Sequence, residues 1–405
     1  MVGTEGFWKA GLIPQAIANG LATILVLFFL LTGLHGSLLD VGLVTGVSAL
    51  ALIPSQMIWG RLIDGVGKVK PFLTAGFVGM GISFAAVPFA GTIGVLLFLV
   101  AAKSVMYAAT LPARQLLTVE SERREGWKRG LANMQAVSSS GETLGMGIGT
   151  AFLAVVGYTQ LFYLCGALCI ASAVALGVLA REPGFMIQRK MVAMERSTAL
   201  LVAMSDAVGG QGVVKTAAYG RAVKMMNSSS TFLLLGILSF SLAGSAFYSP
   251  LPAYFLQFFS SSLTFFIFFA GSLSGAVCYF LVGRTGQGVA KSLIVSTATR
   301  VIAIPALILA AFGASPGFAI AVGIMILLEA VWSFFDVNSM FAYLETAQIG
   351  KAGYYGGLVG IGSAGGAFLG GYVSNLFGFP TLFAACGVLC AIALFSFALQ
   401  FRRAA

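Results

Sequence analysis

Five ionisable residues lie inside long apolar stretches of the 405-residue chain, namely Lys103, Glu142, Arg300, Glu329 and Asp336. A charge in an apolar medium is costly unless it is paired, so such groups are candidates for function. Three roles are open to them: a static ion pair between helices, a carboxyl group that carries a proton, and direct binding of a charged solute. The first two roles merge if Lys103 pairs with Glu142 in one state of the protein and releases it in another.

The composition of the chain determines which elements must position these residues. The chain is 59% hydrophobic and only 9% charged, which is too little charge to cover a water-soluble fold of this size. Twelve stretches are long enough to cross a bilayer as helices, and they lack the alternating polarity of barrel strands. The twelve cover residues 10–32, 38–59, 71–90, 93–113, 131–155, 159–180, 231–257, 262–282, 292–312, 317–340, 353–376 and 379–401. The sequence therefore predicts an all-α integral membrane protein with twelve transmembrane helices.

Positive charge is distributed unequally between the two sides of these spans. Of the 23 Lys and Arg residues, Lys103 and Arg300 lie within spans and the other 21 fall on one side. By the positive-inside rule, both termini and the segment 181–230 are predicted to face the cytoplasm, in a multi-pass protein of the plasma membrane. The net charge of +10 then reflects topology and contact with membrane lipid, and no nucleic-acid partner is predicted.

Cysteine and histidine usage argues against metal or enzyme chemistry. All five cysteines fall within spans, and the single histidine, His35, lies in an outer loop. Because no His or Met stands at ligand spacing beside the cysteines, we expect small apolar packing residues, no metal site and no cofactor. No combination of nucleophile and base indicates an enzyme.

The chain repeats itself at an offset of 221 residues. GYTQLFYLCGALC (157–169) matches GFPTLFAACGVLC (378–390). The glycine row of Gly141, Gly145 and Gly149 recurs at the same offset in the second copy. Glycines four residues apart on a helix allow close helix contact in lipid.

This repeat predicts three parts in the chain. They are a six-helix bundle at 1–180, a cytoplasmic linker of amphipathic helix at 181–230, and a second six-helix bundle at 231–405. Parallel repeats related by an axis along the membrane normal are typical of transporters. Two such halves can rock about a site between them.

The stretch GRLIDGVGKVK (60–70) gathers charges among glycines between the second and third spans. Together with PARQLLTVESERREGWKRGLANMQ (112–135) and the GxxxGxxxGG run starting at residue 362, it resembles the major facilitator superfamily. The resemblance implies two pseudo-symmetric six-helix bundles and a conformational latch on the cytoplasmic side. Asp64 is expected to accept hydrogen bonds from Arg61 or Arg114 in that latch. The latch residues are Gly60, Arg61, Asp64, Gly67, Lys68 and Arg114.

The resemblance also implies that the first, fourth, seventh and tenth helices line a central cavity. Carried onto this chain, it gives the cavity candidates Gln15, Asn19, Lys103, Tyr107, Tyr248, Tyr254, Glu329 and Trp332. Pro250 and Pro252 are predicted to break the seventh span and to leave a movable gate segment. Aromatic walls with few charges suit an amphipathic or apolar solute.

The sequence thus predicts a monomeric secondary active transporter that is coupled to protons through the five membrane-embedded charges. Its first predicted activity is efflux of hydrophobic or amphipathic small molecules, although the fifth span lacks the Gly-Pro pair of drug/proton exchangers. One alternative is uptake of an organic anion, with Lys103 or Arg300 as the partner of the anion. Another is a non-transporting membrane sensor built on the same scaffold.

Overall fold

The fold is known from a computed structural model that describes residues 7–121, 127–180, 228–282, 288–311, 314–346 and 352–402. Most of the predicted linker at 181–230 lies outside these residues. The helices of the first part are α1 (Ile13–Phe28), α2 (Leu38–Val66), α3 (Lys70–Ala86), α4 (Ile93–Ser121), α5 (Trp127–Val156) and α6 (Tyr158–Leu179). A 3-10 turn at Phe7–Leu12 precedes α1, a π-helical turn at Phe29–Gly33 follows it, and a 3-10 turn at Val87–Phe89 follows α3.

The second part of the chain repeats this pattern of long helices. They are α7 (Ser228–Tyr248), α8 (Leu251–Leu256), α9 (Ser261–Val282), α10 (Val289–Ala306), α11 (Ala314–Thr346) and α12 (Ala352–Arg402). The short α8 is separated from α7 by a turn at Ser249 and Pro250, and Pro252 stands in its first turn. The prolines therefore interrupt the helix at the place where the sequence predicts a break.

In the described part of the chain, ten helical stretches are long and apolar enough to cross a membrane. The protein is thus a multi-pass, all-helical membrane protein. The predicted spans 353–376 and 379–401 fall within the single element α12, whose backbone is non-helical at Gly378, with φ 79° and ψ 172°. The predicted span 131–155 corresponds to α5, which is not among the ten because residues such as Glu142 and Thr143 lower its hydropathy.

The cap residues of α2 illustrate how the sequence sets helix ends. The Ser37 hydroxyl accepts from the Asp40 backbone N–H, and the Asp40 carboxylate accepts from the Ser37 backbone N–H at 2.7 Å. This reciprocal capping box satisfies two N–H groups that the first turn leaves free. At the other end, Gly67 adopts φ 69°, and its N–H donates to the Ile63 carbonyl at 2.8 Å. A glycine tolerates this left-handed conformation without strain.

Glycines fix the closest helix crossings. A methyl group at Gly145 on α5 would overlap the carbonyl of Ile17 on α1, and one at Gly366 on α12 would overlap the carbonyl of Leu242 on α7. These two glycines occupy equivalent positions in the sequence repeat. Because lipid gives helices no hydrophobic reason to associate, close backbone packing of this kind is a main source of stability.

Two further contacts join the first part of the chain to the second. Helix α2 packs against α12, and α5 packs against α9. At the first crossing, a Cβ at Gly42 would lie 2.8 Å from the Cα of Gly371. At the second, the hydroxyls of Thr143 and Ser272 are hydrogen-bonded at 2.8 Å. At these points the two parts therefore meet through small and polar groups, and phenylalanine rings such as Phe265 and Phe368 pack against neighbouring glycines.

The α7–α12 crossing gives a test of this packing. We expect Gly366→Ala to destabilise the protein by about 1–3 kcal/mol, because the new methyl group meets rigid backbone. Gly357→Ala, on the same helix with nothing within 4 Å of the added Cβ, is the matched control and gains up to about 1 kcal/mol of helix propensity. Thermal unfolding in detergent measures both, and equal melting temperatures would contradict the packing account.

Candidate functional site

A cavity of about 260 Å³ lies against α7, α11 and α12. We name it the α7 cavity, and it is lined by Ser241, Gly244, Ser245, Tyr248, Glu329, Trp332 and Ser363. Its wall combines three serine hydroxyls, two aromatic rings and one carboxyl group. Such a wall can hydrogen-bond one edge of a solute and stack on its flat face.

A smaller cavity of about 180 Å³ lies between α1, α2, α3 and α4, and we name it the α1 cavity. Its polar lining consists of Asn19, Thr23, Thr45, Ser48, Ser83 and Lys103. Apolar side chains such as Val26, Leu27 and Phe84 complete the wall. Each cavity therefore brings one of the membrane-embedded charges to a space that a small molecule could occupy.

Glu329 reaches the α7 cavity across a groove on α9. A Cβ at Gly271 would lie 3.1 Å from Cγ of Glu329, and one at Gly275 would lie 3.6 Å from its Cβ. The Ser333 hydroxyl, one turn further along α11, donates to the Gly275 carbonyl at 2.9 Å. The two glycines thus let the stem of Glu329 lie flat on α9, and this places its carboxyl group in the cavity wall.

Arg300 on α10 is completely buried next to the same cavity. Its guanidinium carbon lies 4.8 Å from the ring centre of Phe240, 5.1 Å from that of Trp332 and 5.6 Å from that of Tyr248. Its Nη2 donates to the Leu328 carbonyl at 3.3 Å and lies 3.5 Å from the Tyr248 hydroxyl. Nε and Nη1 have no hydrogen-bond partner among the described residues. Arg300 is therefore held by aromatic rings rather than by a carboxylate.

Glu142 and Lys103, whose pairing the sequence left open, have different partners in this structure. The Glu142 Oε1 accepts from the Asn19 side-chain amide at 3.0 Å. Lys103 Nζ lies 5.9 Å from the Phe84 ring centre and 5.8 Å from that of Tyr107. No ion pair joins the two charges in the part of the chain that the structure describes. A static scaffold made by this pair is therefore not present in this conformation.

Arg114 lies inside the bundle and is 5% exposed. Its Nη2 donates to the Gln15 side-chain oxygen at 2.7 Å, while the Gln15 backbone N–H donates to the Ser172 hydroxyl at 2.8 Å. The rings of Phe77 and Tyr107 flank the guanidinium at 5.2 and 5.5 Å. Gln15 and Tyr107, predicted as cavity residues, therefore serve here as partners of Arg114 and line neither cavity.

Comparison with known proteins identifies the family. The model of the Major Facilitator Superfamily matches residues 11–358. The chain belongs to the Major Facilitator Superfamily. The predicted membership of this family is thereby confirmed, and the protein is a secondary transporter of a small-molecule solute.

Solved structures of a nucleoside transporter have the same fold. The nucleoside transporter NupG matches with a TM-score of 0.65 and 15% identity, over 99% of each chain. A point mutant of NupG matches with a TM-score of 0.68 and 14% identity, over 98% of this chain and 99% of that one. Identity this low supports the common fold alone. A search of curated protein sequences finds no match.

The other residues predicted for this superfamily member lie in several places. Tyr248 and Trp332 line the α7 cavity and Asn19 lines the α1 cavity. Tyr254 donates to the Leu307 carbonyl at 3.1 Å and packs against Phe383, away from both cavities. In the predicted latch, Arg61 and Lys68 are exposed, and a Cβ at Gly60 would meet nothing within 4 Å. The side chain of Asp64 lies outside the described residues.

Asp336 belongs to a polar contact between α5, α9 and α11. Its Oδ2 accepts from the Gln135 side-chain amide at 3.1 Å and from the Tyr279 hydroxyl at 2.9 Å. We name these three residues the Asp336 clamp. Sequence reasoning found Asp336 but missed its two partners. Gln135 closes the family-like stretch 112–135, and that position is the only signal in the sequence that could have drawn attention to it.

The hydrogen bonds of the Asp336 clamp are expected to stabilise the fold. Tyr279→Phe removes a donor to a buried carboxyl group, and we expect a loss of about 1–3 kcal/mol. Tyr355→Phe is the matched control, because its hydroxyl shares a hydrogen bond only with the neutral Ser339 hydroxyl at 2.8 Å. Melting temperatures in detergent should fall more for Tyr279→Phe than for the control. The opposite order would show that the clamp adds nothing.

Proposed function

We propose that this transporter is coupled to protons and moves small amphipathic solutes, with Glu329 as the principal proton carrier. The observation that carries the proposal is the placement of the Glu329 carboxyl group in the wall of the α7 cavity, beside Tyr248 and Trp332. A group that faces the solute space can link its protonation to the presence of solute. Glu142 is the second candidate, since it neighbours the α1 cavity through Asn19.

The proposed mechanism is alternating access by two six-helix halves, 1–180 and 231–405, joined by the linker at 181–230. A count of twelve spans follows if α12 is divided at Gly378 and α5 is added to the ten stretches of high hydropathy. The similar glycine crossings α1–α5 and α7–α12 support two equivalent halves. We place the protein in the plasma membrane as a monomer with both termini on the cytoplasmic side.

Closure of the cytoplasmic side is proposed to involve the latch at Gly60, Arg61, Asp64, Gly67 and Lys68 together with the Asp336 clamp. The clamp supports this role because Gln135 belongs to the first half and Asp336 to the second. A polar contact of this kind is stable when docked and is replaced by water when the halves separate. Pro250 and Pro252 are proposed to provide a gate at the other side.

The direction of transport relative to the proton follows from how solute binding and proton binding at Glu329 affect each other. A solute that binds the ionised Glu329 carboxylate competes with the proton, and exchange of the two gives the predicted efflux. A solute that requires protonated Glu329 travels with the proton instead. The second candidate, uptake of an organic anion, is favoured by one observation: Arg300 has two unpartnered donors beside the cavity.

Transport in proteoliposomes tests the coupling. The panel is nicotinate, uridine and ethidium, with the pH gradient imposed in either direction. We expect wild type to accumulate at least one of them only with a gradient. Glu329→Gln should lose this driven accumulation and keep exchange of solute at equal concentrations, because only proton binding is removed.

Asp40→Asn is the matched control, since Asp40 lies outside the cavities in the first turn of α2 and an Asn side-chain oxygen can still accept from the Ser37 backbone N–H. The same assay on Glu142→Gln measures how much driven accumulation depends on Glu142, the second candidate for the proton carrier. Driven accumulation that survives in Glu329→Gln would contradict its role as proton carrier. Absence of flux for all three solutes would favour the non-transporting membrane sensor.

A further inference from the structure

The guanidinium of Arg300 is the buried group whose hydrogen-bonding capacity is least used by its surroundings. It is 0% exposed, yet two of its three nitrogen atoms, Nε and Nη1, have no acceptor among the described residues. A guanidinium group has N–H donors and no acceptor, so each of these nitrogen atoms can be satisfied only by an acceptor. Leaving buried donors of a charged group unpaired is costly, which indicates that an acceptor from outside the chain completes the shell.

Nη1 lies directly behind one glycine of the cavity wall. A Cβ built on Gly244 would lie 3.5 Å from Nη1 of Arg300 and 3.8 Å from the Trp332 ring. Gly244 itself lines the α7 cavity. Because this position has no side chain, only a thin part of the wall separates the cavity from Nη1, which is fully buried in this conformation, so a small shift of the guanidinium would bring it to an atom in the cavity. We refer to this thin part of the wall as the Gly244 window.

We infer that the α7 cavity binds a small aromatic carboxylate, with its carboxylate group at the Gly244 window accepting a hydrogen bond from Arg300 Nη1. This role of Arg300 rests on the proposed function, and it specifies the class of solute that binds in the α7 cavity. A single carboxylate oxygen suffices, because only Nη1 faces the window. The charge-assisted bond supplies both affinity and selection against neutral analogues.

The rest of the cavity fits the body of such a solute. Trp332 and Tyr248 provide flat apolar surface, and Ser245 and Ser363 provide hydroxyl groups that can contact a ring substituent. Its volume of about 260 Å³ suits a single ring rather than a larger drug-like compound. The solute is therefore small, planar at one end and anionic at the other.

Glu329 links this anion to the proton. Among the described residues, the titratable groups that interact with Glu329 are Tyr248 from α7, Tyr279 from α9, Arg300 from α10 and Glu142 from α5. An ionised Glu329 repels a second carboxylate in the same small cavity. The two carboxylates also compete for electrostatic attraction to Arg300. Binding of the solute therefore favours the protonated form of Glu329, so anion and proton travel together. By reciprocity, the affinity for the anion should fall as the pH is raised and Glu329 loses its proton.

Nicotinate and its neutral isostere nicotinamide provide the test, with full-length protein in detergent and tryptophan fluorescence as the readout of thermal unfolding. A ligand that binds only the folded state raises the melting temperature according to its concentration and affinity. We expect nicotinate to stabilise wild type and nicotinamide to leave it unchanged. Stabilisation by nicotinamide equal to that by nicotinate would overturn the assignment.

Gly244→Ala tests the window without removing the charge. The added methyl group makes only ordinary van der Waals contacts, so the variant should fold, but it should weaken nicotinate binding at least about tenfold. Gly357→Ala, which meets nothing within 4 Å, is the control and should bind as wild type does. Arg300→Gln should lose the preference for nicotinate over nicotinamide. Unchanged nicotinate affinity in Gly244→Ala would overturn the proposal.

The failure of this assignment can be distinguished from failure of the proposed function. One result would contradict only the anion site: nicotinate affinity is unchanged by substitution of Gly244 and Arg300, while the pH gradient drives transport of another solute that depends on Glu329. Proton coupling would then stand. If nicotinate binding depends on Gly244 and Arg300 but no gradient drives its transport, the anion site stands and the coupling is wrong.

Discussion

Charge inside the membrane is the constraint on which the rest of this structure depends. Lipid offers neither hydrogen bonds nor counter-ions, so each ionisable side chain must find its partners within the bundle. The chain uses neutral partners for most of them: an amide for Glu142, an amide and two rings for Arg114, and three rings for Arg300. Such partners hold a charge without fixing it in an ion pair. The groups therefore remain available to a proton or a solute.

Close helix packing brings these charged side chains into contact with their partners on neighbouring helices. Gly271 and Gly275 let Glu329 cross α9, and Gly244 lets the backbone of α7 lie close to the Arg300 guanidinium. The crossings of α1 with α5 and of α7 with α12 use the glycines of the sequence repeat. The two parts of the chain thus share one packing scheme but carry different charges. Lys103 faces the α1 cavity, while Glu329 faces the α7 cavity.

Much of the fold could be predicted from the sequence, because long apolar stretches and proline breaks act locally. The spans, the interruption near Pro250 and the glycine crossings follow from composition and repeat alone. In α12, the predicted boundary between the spans 353–376 and 379–401 coincides with Gly378, where the backbone is non-helical. Family membership required the longer motifs between spans, since apolar helices by themselves are common to many membrane proteins.

The site was predicted less completely, because partners in it come from distant parts of the chain. The free-energy cost of placing a charge in an apolar span identified Glu329, Arg300 and Asp336 as candidates. It could not show that Gln135 and Tyr279 converge on Asp336, because these contacts depend on how α5, α9 and α11 cross. Nor could it separate Tyr248, which lines a cavity, from Tyr254, which packs among phenylalanines.

Linkage between solute and proton is the central claim, and the number of protons taken up on binding measures it directly. Calorimetric titration of nicotinate into the purified protein, in buffers with different heats of ionisation, gives this number without a membrane. The account predicts net uptake of protons by wild type when nicotinate binds and none by Glu329→Gln. Nicotinate binding with no proton exchange in wild type, or with proton release, would contradict it.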